Sequence, residues 1–207
     1  MQGRDGSDAA LDWGAATFTL PGETESGDLH VVLLFAGGAL IGVVDALGHG
    51  SEAAASARIA VAVLEQDPSA PVSELLRRCH SALNGKRGVV MSLAAFDWAA
   101  GVLTWAGVGN VEGYVFAGSG AGRPARTTLI APGGIVGSAL PLVRPTKVDL
   151  AAGDLLVFLT DGIRGHFVDR LPREEPPQQL AESIMSRCGK GTDDALVLVA
   201  RYLGLPR

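Results

Sequence analysis

The chain has 207 residues, 47% of them hydrophobic and 19% charged, with a formal net charge of −5. Such a composition supports a sizeable core and excludes an intrinsically disordered chain. The acidic balance, with Lys and Arg scattered and no basic stripe, argues against nucleic acid as a partner.

The opening stretch, "MQGRDGSDAALDW", has no apolar core of a secretory signal. The longest apolar run, 29–44, is interrupted by His30 and by "AGGA" and falls short of a membrane-spanning helix. A cytoplasmic protein with no membrane association is expected. "HVVLLF", "AGGA" and "LIGVVD" then read as a hairpin of two buried strands turning at Gly37–Gly38. An Ala-rich segment, 51–67, reads as a helix with Ser51 as N-cap. A second helix over 73–85 places Leu75, Leu76, Cys79 and Leu83 on one face and stops at Gly85.

A β meander follows. "GVVMSLAAFD" and "GVLTWAGVGN" flank a short connection, "VEGYVFAG" comes next, and a Gly/Pro/Arg-rich loop over 118–126 leads to "TTLIA". "GDLLVFLTDG" is a further buried strand. A third helix over 174–189 turns Leu180, Ile184 and Cys188 inward and stops at Gly189. The last strand, "ALVLVARYL", covers 195–203. Two strands, two helices, a run of strands, one helix and one strand make an α+β pattern without strict βαβ alternation. Cys79 and Cys188 read as reduced thiols on helices; no Cys/His spacing suggests zinc.

The acids show a pattern of their own. Antiparallel pairing in the first hairpin brings Asp28 and Asp45 to the same open end. Asp161 ends one late strand, and Asp193 and Asp194 precede another. Strand-end aspartates commonly serve as turn and cap residues. Gathered at one end without cations at matching spacing, they point instead to a hard divalent ion, Mg²⁺ or Mn²⁺, held through oxygen. The Ala46 carbonyl lies next to Asp45 and is a further oxygen ligand. His49, in "ALGHG", is a proton donor to a leaving group or simply a residue at a helix start.

"ESGD" at 25–28, "VVDALGHG" at 43–50, "LTDGI" at 159–163 and "GTDDALVLVAR" at 191–201 resemble the metal-dependent Ser/Thr phosphatases of the protein phosphatase 2C superfamily. "D-x-L-G-H-G" is similar to the SpoIIE branch. "RGVVMSLAAFD" at 87–97 and "AGVGNVEGYVF" at 106–116 resemble its short stressosome phosphatases, the RsbX type.

The resemblance runs from about residue 12 to 202. It implies one phosphatase domain with a four-layer αββα sandwich, two antiparallel sheets face to face with helices outside. It also implies a monomer bearing a two-ion Mn²⁺ or Mg²⁺ site. The ligands it carries over are Asp28, Asp45, the Ala46 carbonyl, Asp161 and Asp193, with His49 catalytic. Hydrolysis of phosphoserine or phosphothreonine on stressosome scaffold and antagonist proteins is the implied activity.

Two departures from the family pattern stand out. Ala46 replaces the usual glycine after the ligand aspartate, and Leu196 stands where a threonine is usual. Arg164 is the one stand-in for the phosphate-gripping arginine of eukaryotic relatives, against its reading as a solvated loop residue. Two other functions fit the same residues: a metal-free partner-binding module, and a metal phosphohydrolase of small molecules.

Overall fold

A computed structural model describes residues 10–118, 125–165, 171 and 173–204. Most of the 118–126 loop lies outside them. Ten strands and three helices occur among the described residues. The chain opens with β1 (Leu11–Phe18), β2 (Asp28–Phe35) and β3 (Gly38–Ala46). The helices α1 (Gly50–Gln66) and α2 (Val72–Ala82) follow. Then come β4 (Val89–Asp97), β5 (Val102–Val108), β6 (Glu112–Phe116), β7 (Arg126–Leu129), β8 (Thr146–Asp149) and β9 (Leu155–Leu159). Helix α3 (Pro177–Cys188) and β10 (Ala195–Tyr202) complete the order.

The strands form two five-stranded antiparallel sheets, β1-β10-β9-β6-β7 and β2-β3-β4-β5-β8. One core fills the space between them: Ile41 and Val43 of β3 and Phe96 of β4 meet Phe158 of β9 and Leu198 of β10. A second core lies between β3, β4 and helices α1 and α2, where Leu40, Val44 and Leu93 meet Leu64, Leu75 and Leu76. A third joins Val157 and Val199 to Leu180 and Ile184 of α3. Helix, sheet, sheet, helix is thus the layer order, the αββα sandwich. It explains the missing polar alternation in β3: odd residues face the other sheet, even ones face helices, and both sides are dry.

Several local expectations are corrected. The hairpin turns at Ala36–Gly37, since Phe35 pairs with Gly38. Gly37 takes the left-handed conformation, φ 85°, that the tight turn requires. Strand β2 is an edge strand and only partly buried, so its apolar run overstates its coverage. Helix α1 begins at Gly50 with His49 in the capping position, and Ser51 is not its cap. Helix α2 ends at Ala82; Gly85, with φ 75°, serves the following turn. Helix α3 does stop at Gly189, which caps it with φ −58° and pairs with Ile163.

Strands β1 and β8 were not evident from local sequence. Gly14, Ala15 and Ala16 have weak strand propensity, and β1 exists because it pairs with β10 and is clamped by α3. The Gln178 side chain holds Ala15 at both ends of its peptide, accepting from its N–H at 3.1 Å and donating to its carbonyl at 3.1 Å. A β-carbon at Gly14 would lie 2.3 Å from the Gln178 Cα, so only glycine admits the helix.

Candidate active site

The site lies at one end of the sandwich and draws on both sheets. Asp28 opens β2 and Asp45 nears the end of β3; the two pair directly across the hairpin. From the other sheet, β9 and β10 run antiparallel with Leu159 opposite Val197. Asp161, just past β9, and Asp193 and Asp194, just before β10, therefore share one end. Asp28 and Asp45 each feel the repulsion of Asp161, Asp193 and Asp194, which places all five carboxylates in one electrostatic neighbourhood.

Their surroundings differ. Asp28 is 4% exposed, and its Oδ2 has no hydrogen-bond partner among the described residues. Burial, then the neighbouring acids, push its carboxyl up to about 7, although a hydrogen bond from Thr160 opposes the shift. Asp45 is pushed up to about 8 by burial and then by Asp28 and the other acids. Asp161 and Asp193 are exposed. The Asn110 amide donates to Asp161 Oδ2 at 3.0 Å, and the Lys190 ammonium meets the Asp161 carbonyl oxygen. Asp194 is buried, its two oxygens accepting backbone N–H groups of Leu20 and Gly27.

A buried carboxylate with an unpartnered oxygen, paired across the hairpin with a partly buried one, is costly in itself and suits a bound divalent cation. The oxygen-rich, sulfur-free donor set fits Mg²⁺ or Mn²⁺. Among the described residues, no three acidic, His or Cys side chains converge tightly enough to form a ligand cage by themselves. An ion here would draw its remaining ligands from backbone carbonyls and water, as Mg²⁺ commonly does.

The "ALGHG" loop borders these acids. Its backbone turns through left-handed conformations at Gly48 and Gly50, φ 82° and 76°. It is strapped from outside: the Leu47 N–H donates to the Gly88 carbonyl at 3.1 Å, and Arg87 donates to the Leu47 carbonyl at 3.3 Å while bonding Glu52. The Ala46 N–H donates to the Gly27 carbonyl at 3.2 Å. His49 Nδ1 lies 2.6 Å from Glu23 Oε1, and its side chain is half exposed. The Arg164 side chain is exposed, and its backbone N–H donates to the Cys188 carbonyl at 2.9 Å.

The structure therefore brings Asp28, Asp45, Ala46, Asp161 and Asp193 to one end. It adds four residues that sequence reasoning missed: Glu23, Asn110, Thr160 and Lys190. Asn110 sits where the chain crosses between sheets, in the quoted "GVGN", and Thr160 precedes Asp161; those motifs were the available signal. Nothing local marks Glu23 or Lys190, whose partners are 26 and 29 residues away. Leu196 is wholly buried, and Thr160 holds its N–H at 2.8 Å through Oγ1. The hydroxyl beside Asp28 thus comes from β9's end, not from position 196. Both cysteines are free; Cys79 is buried, which pushes its thiol up to about 12 and makes it inert.

Known proteins share this fold. Residues 36–203 match the family described as Stage II sporulation protein E, SpoIIE. No curated protein sequence matches the chain significantly. Among solved structures, one reported as "The bacterial stressosome: a modular system that has been adapted to control secondary messenger signaling" is 31% identical, with a TM-score of 0.84, over 92% of this chain and 99% of that one. RsbX in complex with magnesium superposes with a TM-score of 0.83 at 18% identity, over 93% of this chain and 96% of its own. The catalytic domain of the serine threonine protein phosphatase PstP, in complex with two manganese ions, gives 0.68 at 17% identity over 94% and 99%. The match across most of its length makes this chain a member of the SpoIIE family.

Proposed function

We propose that the chain is a metal-dependent phosphatase of phosphoserine and phosphothreonine on bacterial stress-signalling proteins. The observation that carries this reading is the convergence of acids from both sheets around a buried, unpartnered Asp28 oxygen. Two Mn²⁺ or Mg²⁺ ions would be held by Asp28, Asp45, the Ala46 carbonyl, Asp161 and Asp193. When bound, they supply Lewis acidity toward phosphoryl oxygens and make a water nucleophilic near neutral pH.

The remaining work falls to the chain's own groups. Asp28 and Asp45 must shed their protons to ligate, and Thr160 steadies Asp28 by a hydrogen bond. Asn110 orients Asp161 through Oδ2. Glu23 engages His49 at Nδ1, so Nε2 is the atom that hands a proton to the departing seryl or threonyl oxygen. Lys190, at the Asp161 carbonyl, is a cation that would meet the phosphate. No covalent nucleophile is needed, and Cys79 is too buried to be one.

The stressosome structure that this chain resembles at 31% identity, together with RsbX, supports phosphorylated stressosome scaffold or antagonist proteins as substrates. We read the chain as one phosphatase domain, monomeric and cytoplasmic; among the described residues no helix is long and apolar enough to cross a membrane. The absence of a tight side-chain cage among the described residues favours one alternative, a partner-binding module of the same fold without turnover.

Phosphate release from a phosphorylated stressosome scaffold protein, in EDTA, Mg²⁺ or Mn²⁺, separates the two. Release only with divalent metal, abolished by Asp45→Ala and by Asp161→Ala in folded protein, is expected. Full activity in both variants would sink the site assignment. Scaffold binding without any release would favour the binding module.

A further inference from the structure

Asp194 is a buried carboxylate at the start of β10 with an unusual pair of partners. Its Oδ1 accepts the Leu20 N–H at 2.8 Å and its Oδ2 accepts the Gly27 N–H at 2.7 Å. Both donors belong to the connection between β1 and β2, where the chain leaves one sheet and enters the other. Bonds from backbone N–H to a carboxylate are charge-assisted and short. Asp194 thus ties the acid-bearing end of one sheet to the segment that delivers Asp28 to the other.

The path continues beyond Gly27. Its carbonyl accepts the Ala46 N–H at 3.2 Å, and its Cα is bonded to the peptide that leads to Asp28. A β-carbon at Gly27 would fall 3.0 Å from Ala53 Cβ and 3.4 Å from the Ala46 carbonyl oxygen, so the approach depends on glycine. At its other side, the Asp194 N–H donates to Asp193 Oδ1 at 2.9 Å. Asp194 is therefore linked directly to Asp193, and through Gly27 to Asp28 and Ala46.

We infer that Asp194 is a positioning residue: its carboxylate locks the β1–β2 connection so that Asp28, Ala46 and Asp193 hold one geometry across the two sheets. Its oxygens serve backbone amides, which leaves Asp193 as the ligand of the pair. The inference rests on the phosphatase reading for its purpose and on the hydrogen bonds for its substance.

The test uses the full chain, wild type, Asp194→Asn and Asp193→Asn, with Mn²⁺ alone as the probe. Backbone hydrogen exchange is followed in EDTA and Mn²⁺ affinity by titration calorimetry. Asn keeps the size of Asp194 but offers one acceptor oxygen for two donors. Exchange across residues 20–27 is expected to rise at least about tenfold in Asp194→Asn, and Mn²⁺ affinity to fall about 10- to 100-fold, the range seen when groups supporting a ligand are removed. Asp193→Asn should lose Mn²⁺ affinity with exchange over 20–27 unchanged.

Wild-type Mn²⁺ affinity in Asp194→Asn overturns the inference. So does loss of affinity with 20–27 as protected as before, which would make Asp194 a ligand itself. If Asp194→Asn does not fold, Gly27→Ala disturbs the same path from its far end; about tenfold weaker Mn²⁺ binding supports the inference and unchanged binding overturns it. If wild type binds no Mn²⁺ although Leu20 and Gly27 amides are protected, the phosphatase reading fails and takes the positioning role with it, while the carboxylate lock itself stands.

Discussion

Replacing Asp28 by Asn should make the metal-free protein more stable as pH rises, while removing its metal site. In the unfolded chain Asp28 ionises near 3.8; in the fold, burial and the surrounding acids hold it near 7. Between those values the folded protein carries the extra proton, so wild-type stability falls as pH climbs from about 4 through 7. At about 1.4 kcal/mol per pH unit, the shift costs the fold about 4 kcal/mol by pH 8. Asn at 28 has no such slope. It leaves a buried amide group short of a partner, a pH-independent cost of about 1–3 kcal/mol.

The quantity to measure is the stability difference between Asp28→Asn and wild type, by urea unfolding in EDTA at pH 4 and pH 8. It should move in favour of the variant by about 4 kcal/mol between the two pH values. Saturating Mn²⁺ should then stabilise wild type at pH 8 and leave the variant unchanged. A pH-independent difference would refute the claim that Asp28 is buried at electrostatic cost. Such a trade of stability for a charged site is what a functional constellation predicts.

Three more outcomes are expected. His49→Gln should lower kcat on a phosphoprotein by about 10² or more, the usual contribution of a general acid, and Glu23→Gln by less; equal kcat in all three proteins would remove His49 from the mechanism. Gly14→Ala should destabilise by about 1–3 kcal/mol or more, because the new methyl meets the Gln178 backbone, and thermal unfolding reads this directly. Cys79 should resist thiol reagents in the native protein and react only on unfolding, ahead of which Cys188, partly exposed, is modified; rapid native labelling of Cys79 would contradict its burial.

Much of the fold was legible in sequence because its inner strands are strongly apolar and its helices strongly patterned. Strands β3, β4, β9 and β10 declare themselves by runs of Val, Leu and Ile, and the hairpin between β2 and β3 brings Asp28 and Asp45 to one end by pairing alone, while their direct pairing depends on the turn at Ala36–Gly37. That half of the site needs only local rules. The motif order from 25 to 201 carried the family, and with it the layer order of the sandwich.

The rest is decided by contacts between residues far apart in the chain. Strand β1 has no strand signal of its own; its pairing with β10 and the Gln178 clamp create it. Whether Asp193 or Asp194 faces the site cannot be read from two adjacent aspartates. The burial of one, the exposure of the other and amide donors 167 and 174 residues away tell the two apart. The Glu23–His49 pair, the Asn110–Asp161 bond and the placement of Lys190 have the same origin. Sequence by itself determined the inner strands, the helices and which acids end them, because propensity and periodicity are local. Only the packing of one sheet on the other decided which oxygens are left free, because hydrogen-bond satisfaction and desolvation depend on every neighbour at once.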